Sequence, residues 1–306
     1  MRDFVETSTI FDPAEFDRET CKTFGQAPAQ YTHSLHRDSQ FTDAGLAALL
    51  DRYPREHIGV YRMGDTVESW ECGRLGAISG ASLVQAVKDG RIWLNLRAAH
   101  RRDPALAEMN NRVFSELKKM IPGFRPFNTD LGLLISSPGA RVFYHLDVPR
   151  VMLLHLRGHK NVWIYPRSEP FVEALGLESV VSEKTEEEIP YKPEYDQGGH
   201  CYRIEPGQMI HWPQNAPHRI DNGDDLNVSL SIEFMTPMAQ VRANAVLANA
   251  WLRDKFGLES GIESQPNIAW IPKFALARLL RILEPRHAKP TVIPHTFRLE
   301  ESLSRN

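Results

Sequence analysis

The chain has 306 residues, of which 42% are hydrophobic, and its formal net charge is −3. This length and apolar content suit one large domain, or one domain with attached helical parts, and exclude general disorder. The small net charge excludes a strongly basic domain, so no nucleic-acid partner is expected, and no stretch approaches the roughly 18 apolar residues of a membrane span.

The first 90 residues are predicted to form an α+β arm that packs on the rest of the chain. The segment 1–40 is polar and irregular, and its start lacks the apolar region of a secretory signal. The segment 43–53 has helical spacing, 57–63 resembles a strand, and Ser79 is a typical N-cap of a second helix. The three cysteines form neither a CxxC motif nor an even set, which favours a reducing, cytoplasmic location.

A strand is predicted at 91–96, and a long helix is predicted to begin after Asp103. Asp103 and Pro104 are a typical cap and first helical residue, and Pro122 marks the end. The apolar residues of this helix fall at steps of three and four, which predicts one buried face. They are Leu106, Met109, Val113, Leu117 and Met120.

The segment 130–235 contains eight short β-rich runs separated by turn residues such as Ser-Pro-Gly and Glu-Pro-Gly. This spacing predicts a double-sheet jelly roll rather than alternating βαβ units. The fold class is therefore mainly β with flanking helices, and the jelly-roll domain is assigned to 91–235. A longer segment between Trp163 and Cys201 predicts a helix at 168–176 and an acidic loop. We interpret the loop as solvated, with a lid over the barrel mouth as the alternative.

The remaining part, 236–306, is predicted to be a helical extension. Thr236 and Pro237 begin one helix, which ends near Gly257. A second, basic amphipathic helix is predicted at 273–286. We expect the two helices to pack on their own domain or on a second copy of the chain, as a homodimer. A membrane surface or a polyanion is the alternative partner for the basic helix.

The clearest chemical signal is a His-x-Asp pair in the predicted strand RVFYHLD. Alternate residues of a strand point to the same face, so His145 and Asp147 project together. A neutral imidazole and a carboxylate at this spacing can bind one divalent metal ion. A second such pair, His36 and Asp38, lies in a polar segment without a strand pattern, and we interpret it as a surface pair.

Two histidines further along the chain are candidates for the third ligand. His218 follows a turn with two prolines and opens a strand that can lie beside the strand of His145. His211 ends the preceding strand and is the alternative. Histidines that only satisfy buried hydrogen bonds are the competing explanation for the whole set. Two histidines and one carboxylate can hold Fe(II) with open coordination positions and a net charge of about +1.

Lys160 begins the predicted strand KNVWIYP, two strands after the His-x-Asp pair. At a sheet edge such a lysine is usually solvated. If it points inward, its buried ammonium group needs an anionic partner, and a dicarboxylate would be one.

The segments YHLDVPRVMLLHLRGHKNVWIYP, EPGQMIHWPQNAPHRIDN and NVSLSIEF resemble the cupin-like JmjC family of Fe(II)- and 2-oxoglutarate-dependent oxygenases, in particular its asparaginyl-hydroxylase branch. The resemblance covers residues 90–235. It implies a double-stranded β-helix whose metal ligands are His145, Asp147 and His218. It also implies that Lys160, fifteen residues after the first metal histidine, binds the distal carboxylate of 2-oxoglutarate.

Three positions depart from this branch, and they concern the cosubstrate rather than the metal. Val142 replaces a threonine of the cosubstrate pocket, and Asn95 lies near the position of a tyrosine that helps to hold the same carboxylate. Asn95 is kept as a candidate for cosubstrate binding. Glu233 stands where an asparagine lies near the cosubstrate, and a carboxylate there is unfavourable unless it is protonated or turned away.

These residues predict an Fe(II)- and 2-oxoglutarate-dependent oxygenase that consumes dioxygen and hydroxylates, or by the same chemistry demethylates, a protein side chain or small molecule. His145, Asp147 and His218 are predicted to be its catalytic residues as well as its metal ligands. A non-catalytic cupin-type module that binds a metal or small ligand and acts as a regulator is the alternative. A cupin isomerase or dioxygenase without 2-oxoglutarate is a third, in which replacing Lys160 by Ala leaves activity unchanged.

Overall fold

The structure is a computed structural model that describes residues 9–64, 66, 69–90, 92–262, 266–283 and 295–299. Within these ranges the chain forms seven α-helices and thirteen β-strands. Three predicted features lie partly outside the described residues: the start of the N-terminal segment, Arg91 of the predicted strand 91–96, and 284–286 of the last predicted helix.

The helices are α1 Arg18–Thr23, α2 Asp43–Arg52, α3 Gly80–Asp89, α4 Pro104–Met120, α5 Ala174–Val181, α6 Pro237–Phe256 and α7 Trp270–Leu283. The first seven strands are β1 Ala29–Thr32, β2 Gly59–Arg62, β3 Glu71–Arg74, β4 Ile92–Leu96, β5 Phe127–Ser136, β6 Arg141–His145 and β7 Arg150–Arg157. The other strands are β8 Lys160–Ile164, β9 His200–Ile204, β10 Gln208–His211, β11 His218–Asn222, β12 Asn227–Met235 and β13 His295–Arg298.

The described strands form two sheets. The larger sheet has the strand order β1-β10-β7-β12-β5-β4-β2-β3-β13, and the smaller has the order β6-β11-β8-β9. From β5 to β12 the chain changes sheet at every connection except the one from β8 to β9, with β5, β7, β10 and β12 in the larger sheet and β6, β8, β9 and β11 in the smaller. The predicted mainly β fold with flanking helices is confirmed.

Both faces of the larger sheet are buried, and the two-residue period of a strand separates them. Leu133 and Leu154 belong to the core on the helical side, which also includes residues of α2, α3 and α4. Their chain neighbours Leu134 and Leu153 belong to the core between the two sheets. Side chains that face the smaller sheet therefore alternate along each strand with side chains that pack against the helices.

The two longest helices begin at the residues that their caps predict. The carboxylate of Asp103 accepts hydrogen bonds from the first turn of α4, and the hydroxyl of Thr236 accepts one from the first turn of α6. The helix α6 ends at Gly257 in the left-handed conformation, at a φ of 67°, which glycine adopts without steric cost. The predicted apolar face of α4 is buried at Leu106, Met109, Val113 and Leu117.

Two segments differ from the prediction because tertiary contacts decide their conformation. The residues of β1, predicted to be irregular, pair antiparallel with β10 and extend the larger sheet. The helix predicted at 168–176 begins only at Ala174. In the residues before it, the ring of Phe171 packs near Tyr165, with ring centroids 6.1 Å apart, so aromatic packing replaces a helical turn there.

The C-terminal helices pack on their own domain, since α6 contacts both α5 and α7. No described helix is long and apolar enough to cross a membrane. Several apolar side chains of α7 remain exposed in the single chain, namely Ile271, Leu279, Ile282 and Leu283. The homodimer through these helices stays a prediction.

Candidate metal centre

The strands β6 and β11 bring two of the predicted ligands together. They pair antiparallel, and His145 lies directly opposite His218 in the register. The register shifts between His218 and Ile220, which is the signature of a β-bulge, and bulges re-aim side chains next to active sites. The two imidazole rings lie with their centroids 4.0 Å apart.

Each imidazole is oriented by a backbone carbonyl two residues earlier in the chain. Nδ1 of His145 lies 2.7 Å from the carbonyl oxygen of Phe143, and Nδ1 of His218 lies 3.0 Å from that of Ala216. A carbonyl oxygen only accepts, so Nδ1 carries the hydrogen in both rings and Nε2 keeps a free lone pair. Burial, followed by the neighbouring His145, lowers the pKa of His218 well below 6.5 and keeps it neutral, as metal ligation requires.

Asp147 completes the group. Its two carboxylate oxygens lie 3.3 Å from Nε2 of His218 and 3.7 Å from Nε2 of His145. The side-chain amide of Asn215 donates to the backbone carbonyl of Asp147 at 2.5 Å, and Trp212 donates to its carboxylate. Burial raises the pKa of Asp147, opposed by His145 and Trp212. No described lysine or arginine forms an ion pair with this carboxylate, so a divalent cation would supply the missing positive charge.

The three side chains fit a metal ion in composition and in spacing. One potential ligand atom from each of His145, Asp147 and His218 lies within 4.8 Å of the other two. Two neutral imidazoles and one carboxylate are the donor set of non-haem Fe(II) sites that keep open coordination positions. The hydrogen bonds from both Nδ1 atoms are the usual support of metal-bound histidines.

The competing histidines lie elsewhere. His211 contacts the N-terminal segment, with its Nε2 3.3 Å from the hydroxyl of Tyr31 and its ring centroid 4.3 Å from that of Phe24. Nδ1 of His36 lies 3.1 Å from the backbone carbonyl of His33. The structure therefore groups His218, and not His211, with the first His-x-Asp pair.

A cavity of about 260 Å³ adjoins the three candidate ligands. Its wall takes residues from the inner faces of both sheets. An apolar part of the wall consists of Leu134, Val142, Leu153 and Ile220. Trp93 of β4 also lines the cavity and packs edge-on against Trp70, at 5.4 Å between ring centroids. The cavity thus has a polar end at the candidate ligands and an apolar wall beside it.

Three acidic side chains besides Asp147 line the same cavity, namely Asp130, Glu187 and Glu233. Burial, followed by the charges of Asp147 and Glu187, raises the pKa of Glu233 to about 7, although solvent reaches its side chain through the cavity. The backbone carbonyl of Glu187 accepts a hydrogen bond from the amide of Leu146 at 3.1 Å. The acidic loop therefore lies along β6 and contributes one side chain to the cavity.

Of the two predicted cosubstrate residues, Asn95 lines the cavity, whereas Lys160 does not and lies deeper between the sheets. Lys160 lies opposite Asn222 on β11, four residues along that strand from His218, which is about 13 Å at the usual rise. Its side chain is only 3% exposed, and burial lowers its pKa to about 7. No described residue forms a hydrogen bond or ion pair with its ammonium group, so it is not a solvated edge lysine.

Sequence reasoning missed Glu187 and two polar residues near Lys160. His155 is fully buried on β7, and its Nδ1 lies 2.9 Å from Oγ of Ser229 on β12. Burial, followed by the charge of Lys160, lowers the pKa of His155 to about 2. A histidine inside the apolar run RVMLLHL was the signal that could have found it. For Glu187 the local sequence holds no such signal.

Neither a protein-family model nor a curated protein sequence matches the chain. Among solved structures, an X-ray structure of Escherichia coli ycfD matches with a TM-score of 0.52 at 18% identity, over 93% of this chain and 71% of that chain. A crystal structure of the E. coli ribosomal oxygenase YcfD has a TM-score of 0.48 at 18% identity, over 88% and 67%. A complex of YcfD with cobalt and 2-oxoglutarate has a TM-score of 0.48 at 17% identity, over 87% and 66%.

At this level of identity the likeness concerns the fold. The match with the TM-score of 0.52 extends over nearly the whole chain, including the arm and the C-terminal helices that the sequence resemblance left uncovered. The resemblance to the oxygenase family inferred from the sequence is confirmed for the fold, and the chain shares its architecture with the E. coli protein YcfD.

Proposed function

We propose that this protein is an Fe(II)- and 2-oxoglutarate-dependent oxygenase. One observation carries the proposal: two imidazole Nε2 atoms and a carboxylate meet at a cavity between two sheets, and a buried lysine without a described partner lies beyond that cavity. The division of β5 to β12 into four strands of each sheet, with one change of sheet at every connection except β8 to β9, supports a double-stranded β-helix within 91–235.

The candidate ligands at the cavity and Lys160 beyond it suit the two ends of 2-oxoglutarate. His145, Asp147 and His218 would hold Fe(II), and the 2-oxo acid end of the cosubstrate would bind at the open metal positions. Lys160 would receive the distal carboxylate through a charge-assisted hydrogen bond. The five-carbon cosubstrate and the lysine side chain would together span the separation of about 13 Å along β11 between the positions of His218 and Lys160.

Iron held by His145, Asp147 and His218, together with 2-oxoglutarate and dioxygen, would supply the oxidation, which converts 2-oxoglutarate and dioxygen into succinate, carbon dioxide and one oxygen atom inserted into a substrate C–H bond. The residues of the chain orient the metal ligands and shield the site from water. The carbonyls of Phe143 and Ala216 hold both imidazoles with Nε2 toward the metal position. Val142 and Ile220 place apolar groups beside it and limit the access of water.

The substrate class in this proposal is a protein side chain or a small molecule whose reacting group enters the cavity that Trp93 and Glu187 help to line. Hydroxylation and demethylation need the same residues, because hydroxylation of an N-methyl group leads to loss of the methyl group. A non-catalytic metal-binding module is the second candidate. The carboxyl group of Glu233 in the cavity favours it, since an ionised carboxylate there opposes an anionic cosubstrate.

The test is turnover of 2-oxoglutarate by the full chain, purified without oxygen and loaded with Fe(II). We expect succinate to form when air is admitted, and we expect His145→Ala and Asp147→Ala to abolish it. His36→Ala is the matched control, because it removes the histidine of the other His-x-Asp pair and should leave succinate formation intact. Metal binding with neither succinate formation nor 2-oxoglutarate binding would instead support the non-catalytic module.

A further inference from the structure

The turn between β7 and β8 places two basic side chains on opposite sheets. His155 lies near the end of β7 in the larger sheet, and Lys160 opens β8 in the smaller sheet. Gly158 makes the turn between them at a φ of 74°, a conformation that favours glycine. His155 is on the same strand face as Leu153, which lines the cavity, so it lies one step deeper between the sheets.

The hydrogen bonds of His155 determine which of its ring nitrogens carries the hydrogen. The ring is neutral, since its pKa is lowered to about 2, so it has one N–H and one lone pair. Its Nδ1 contacts Oγ of Ser229, a hydroxyl with no other described partner, and its Nε2 has no described partner. If Ser229 donates to Nδ1, only Nε2–H is left unpaired. The opposite arrangement leaves both the serine hydrogen and the Nε2 lone pair unpaired, which costs more.

Two donor groups are therefore buried between the sheets without a hydrogen-bond partner among the described residues. Nε2–H of His155 offers one hydrogen and the ammonium group of Lys160 offers three, and each residue is at most 3% exposed. The two residues stand on either side of the turn at Gly158, both on strand faces between the sheets, and the charge of Lys160 helps to lower the pKa of His155. Oδ1 of Asn227, on the same face of β12 as Ser229, is also buried without a described partner, but it is one acceptor atom for four hydrogens. A carboxylate, with two acceptor oxygens and a negative charge, would satisfy both groups.

We propose that His155 is a positioning residue for the cosubstrate, and that its Nε2–H and the ammonium group of Lys160 together form the subsite for the distal carboxylate of the 2-oxo acid. This inference rests on the proposed function and extends it to a residue on the opposite sheet. Ser229 has a supporting part, because its hydroxyl holds the ring in the tautomer that donates from Nε2.

The test uses two variants that probe the roles of the two ring nitrogens of His155 individually. His155→Asn keeps a polar atom near the position of Nδ1, where it can contact Ser229, and removes the donor at Nε2. His155→Gln places an amide N–H near the position of Nε2. Dissociation constants are measured by calorimetry on the full chain loaded with Mn(II) under nitrogen. The ligands are 2-oxoglutarate and 2-oxopentanoate, which has a methyl group in place of the distal carboxylate.

We expect His155→Asn to weaken 2-oxoglutarate binding by about tenfold or more, the usual effect of losing a hydrogen bond to a charged group. Binding of 2-oxopentanoate should stay nearly unchanged in both variants, and His155→Gln should retain most of the affinity for 2-oxoglutarate. Equal losses for both ligands, or unchanged 2-oxoglutarate binding by His155→Asn, would overturn the role of His155. Failure of the unmodified protein to bind 2-oxoglutarate would instead overturn the proposed function, and the inference with it.

A second measurement does not depend on variants that fold. In ¹⁵N-labelled protein, the imidazole of His155 should show the Nε2–H tautomer in the free state, and its Nε2–H resonance should shift when 2-oxoglutarate binds. A ring with its hydrogen on Nδ1, or one insensitive to 2-oxoglutarate that binds the protein, would contradict the proposal.

Discussion

Replacement of Lys160 by Met should make the ligand-free protein more stable. Lys160 is 3% exposed and has no described partner for its ammonium group. A buried charge without a partner is unfavourable, so the native state lowers the pKa of this lysine from 10.5 to about 7. Methionine has an unbranched side chain of similar length and no charge, so it removes this cost with little change in packing.

The lowered pKa sets the size of the effect. A tenfold change in proton affinity corresponds to about 1.4 kcal/mol, so a fall from 10.5 to about 7 corresponds to about 5 kcal/mol. Between pH 7 and 10.5 the unfolded state binds more protons than the native state, and the free energy of unfolding rises with pH. The cost of the buried charge is therefore fully present below pH 7 and absent above pH 10.5. Lys160→Met should be several kcal/mol more stable than the unmodified protein at pH 6.5 and lose this advantage by pH 10.5.

Bound 2-oxoglutarate should shrink this advantage, because ligand at about 1,000 times Kd adds about 4 kcal/mol to the stability of a protein that binds it. With Mn(II) and 2-oxoglutarate present, only a protein that retains the lysine gains the full stabilisation of ligand binding, which grows with the logarithm of ligand concentration over Kd. A residue that lowers stability without its ligand and raises it with the ligand is typical of a binding site.

The assay is urea unfolding at pH 6.5, 8 and 10, with and without Mn(II) and 2-oxoglutarate. Lys119→Met, on the exposed side of α4, is the matched control for the loss of one lysine. Lower stability of Lys160→Met than of the unmodified protein at pH 6.5 would refute the reasoning, and so would a difference that is the same at pH 6.5 and pH 10.

Three further predictions concern the cavity and its supporting turn. Glu233→Gln should stabilise the metal-free protein at pH 8, because the pKa of Glu233 is raised to about 7 and its ionised form is therefore unfavourable in the native state. The variant should lose this advantage as pH falls toward 4.5. Urea midpoints that differ equally at both pH values would contradict the prediction. Asp147→Asn should abolish Co(II) binding in a spectroscopic titration without lowering metal-free stability, and unchanged affinity would exclude Asp147 as a ligand. Gly158→Ala should lower the free energy of unfolding by about 1–3 kcal/mol, because the new Cβ would lie 2.6 Å from the carbonyl oxygen of Leu226. An unchanged free energy of unfolding would show that the turn relaxes and would contradict this prediction.

Local signals in the sequence predicted the ends of the two longest helices and the shared direction of His145 and Asp147. The cap at Asp103, the cap at Thr236 and the stop at Gly257 depend on neighbouring residues only, and the helices begin and end there. His145 and Asp147 are two residues apart, so their shared direction also follows from local geometry. Their assignment as metal ligands is a prediction that the geometry supports.

Other features depend on how distant strands pair, and only the tertiary structure decided them. His211 and His218 both lie near strand ends, and the antiparallel register of β6 with β11 is what places His218, and not His211, opposite His145. Glu187 reaches the cavity because its loop runs along β6.

The buried residues Lys160 and His155 also show which features the sequence determines and which depend on tertiary structure. The sequence alone determined that Lys160 begins an apolar strand fifteen residues after the first metal histidine, and that His155 interrupts an apolar run. It could not determine that both side chains face the interior between the sheets, because the two strands belong to different sheets. Strand period sets which face a side chain occupies, but only the packing of one sheet on the other sets what that face meets. The tertiary structure therefore decided that these two groups are both buried between the sheets, without a hydrogen-bond partner for Nε2 of His155 or the ammonium group of Lys160 among the described residues.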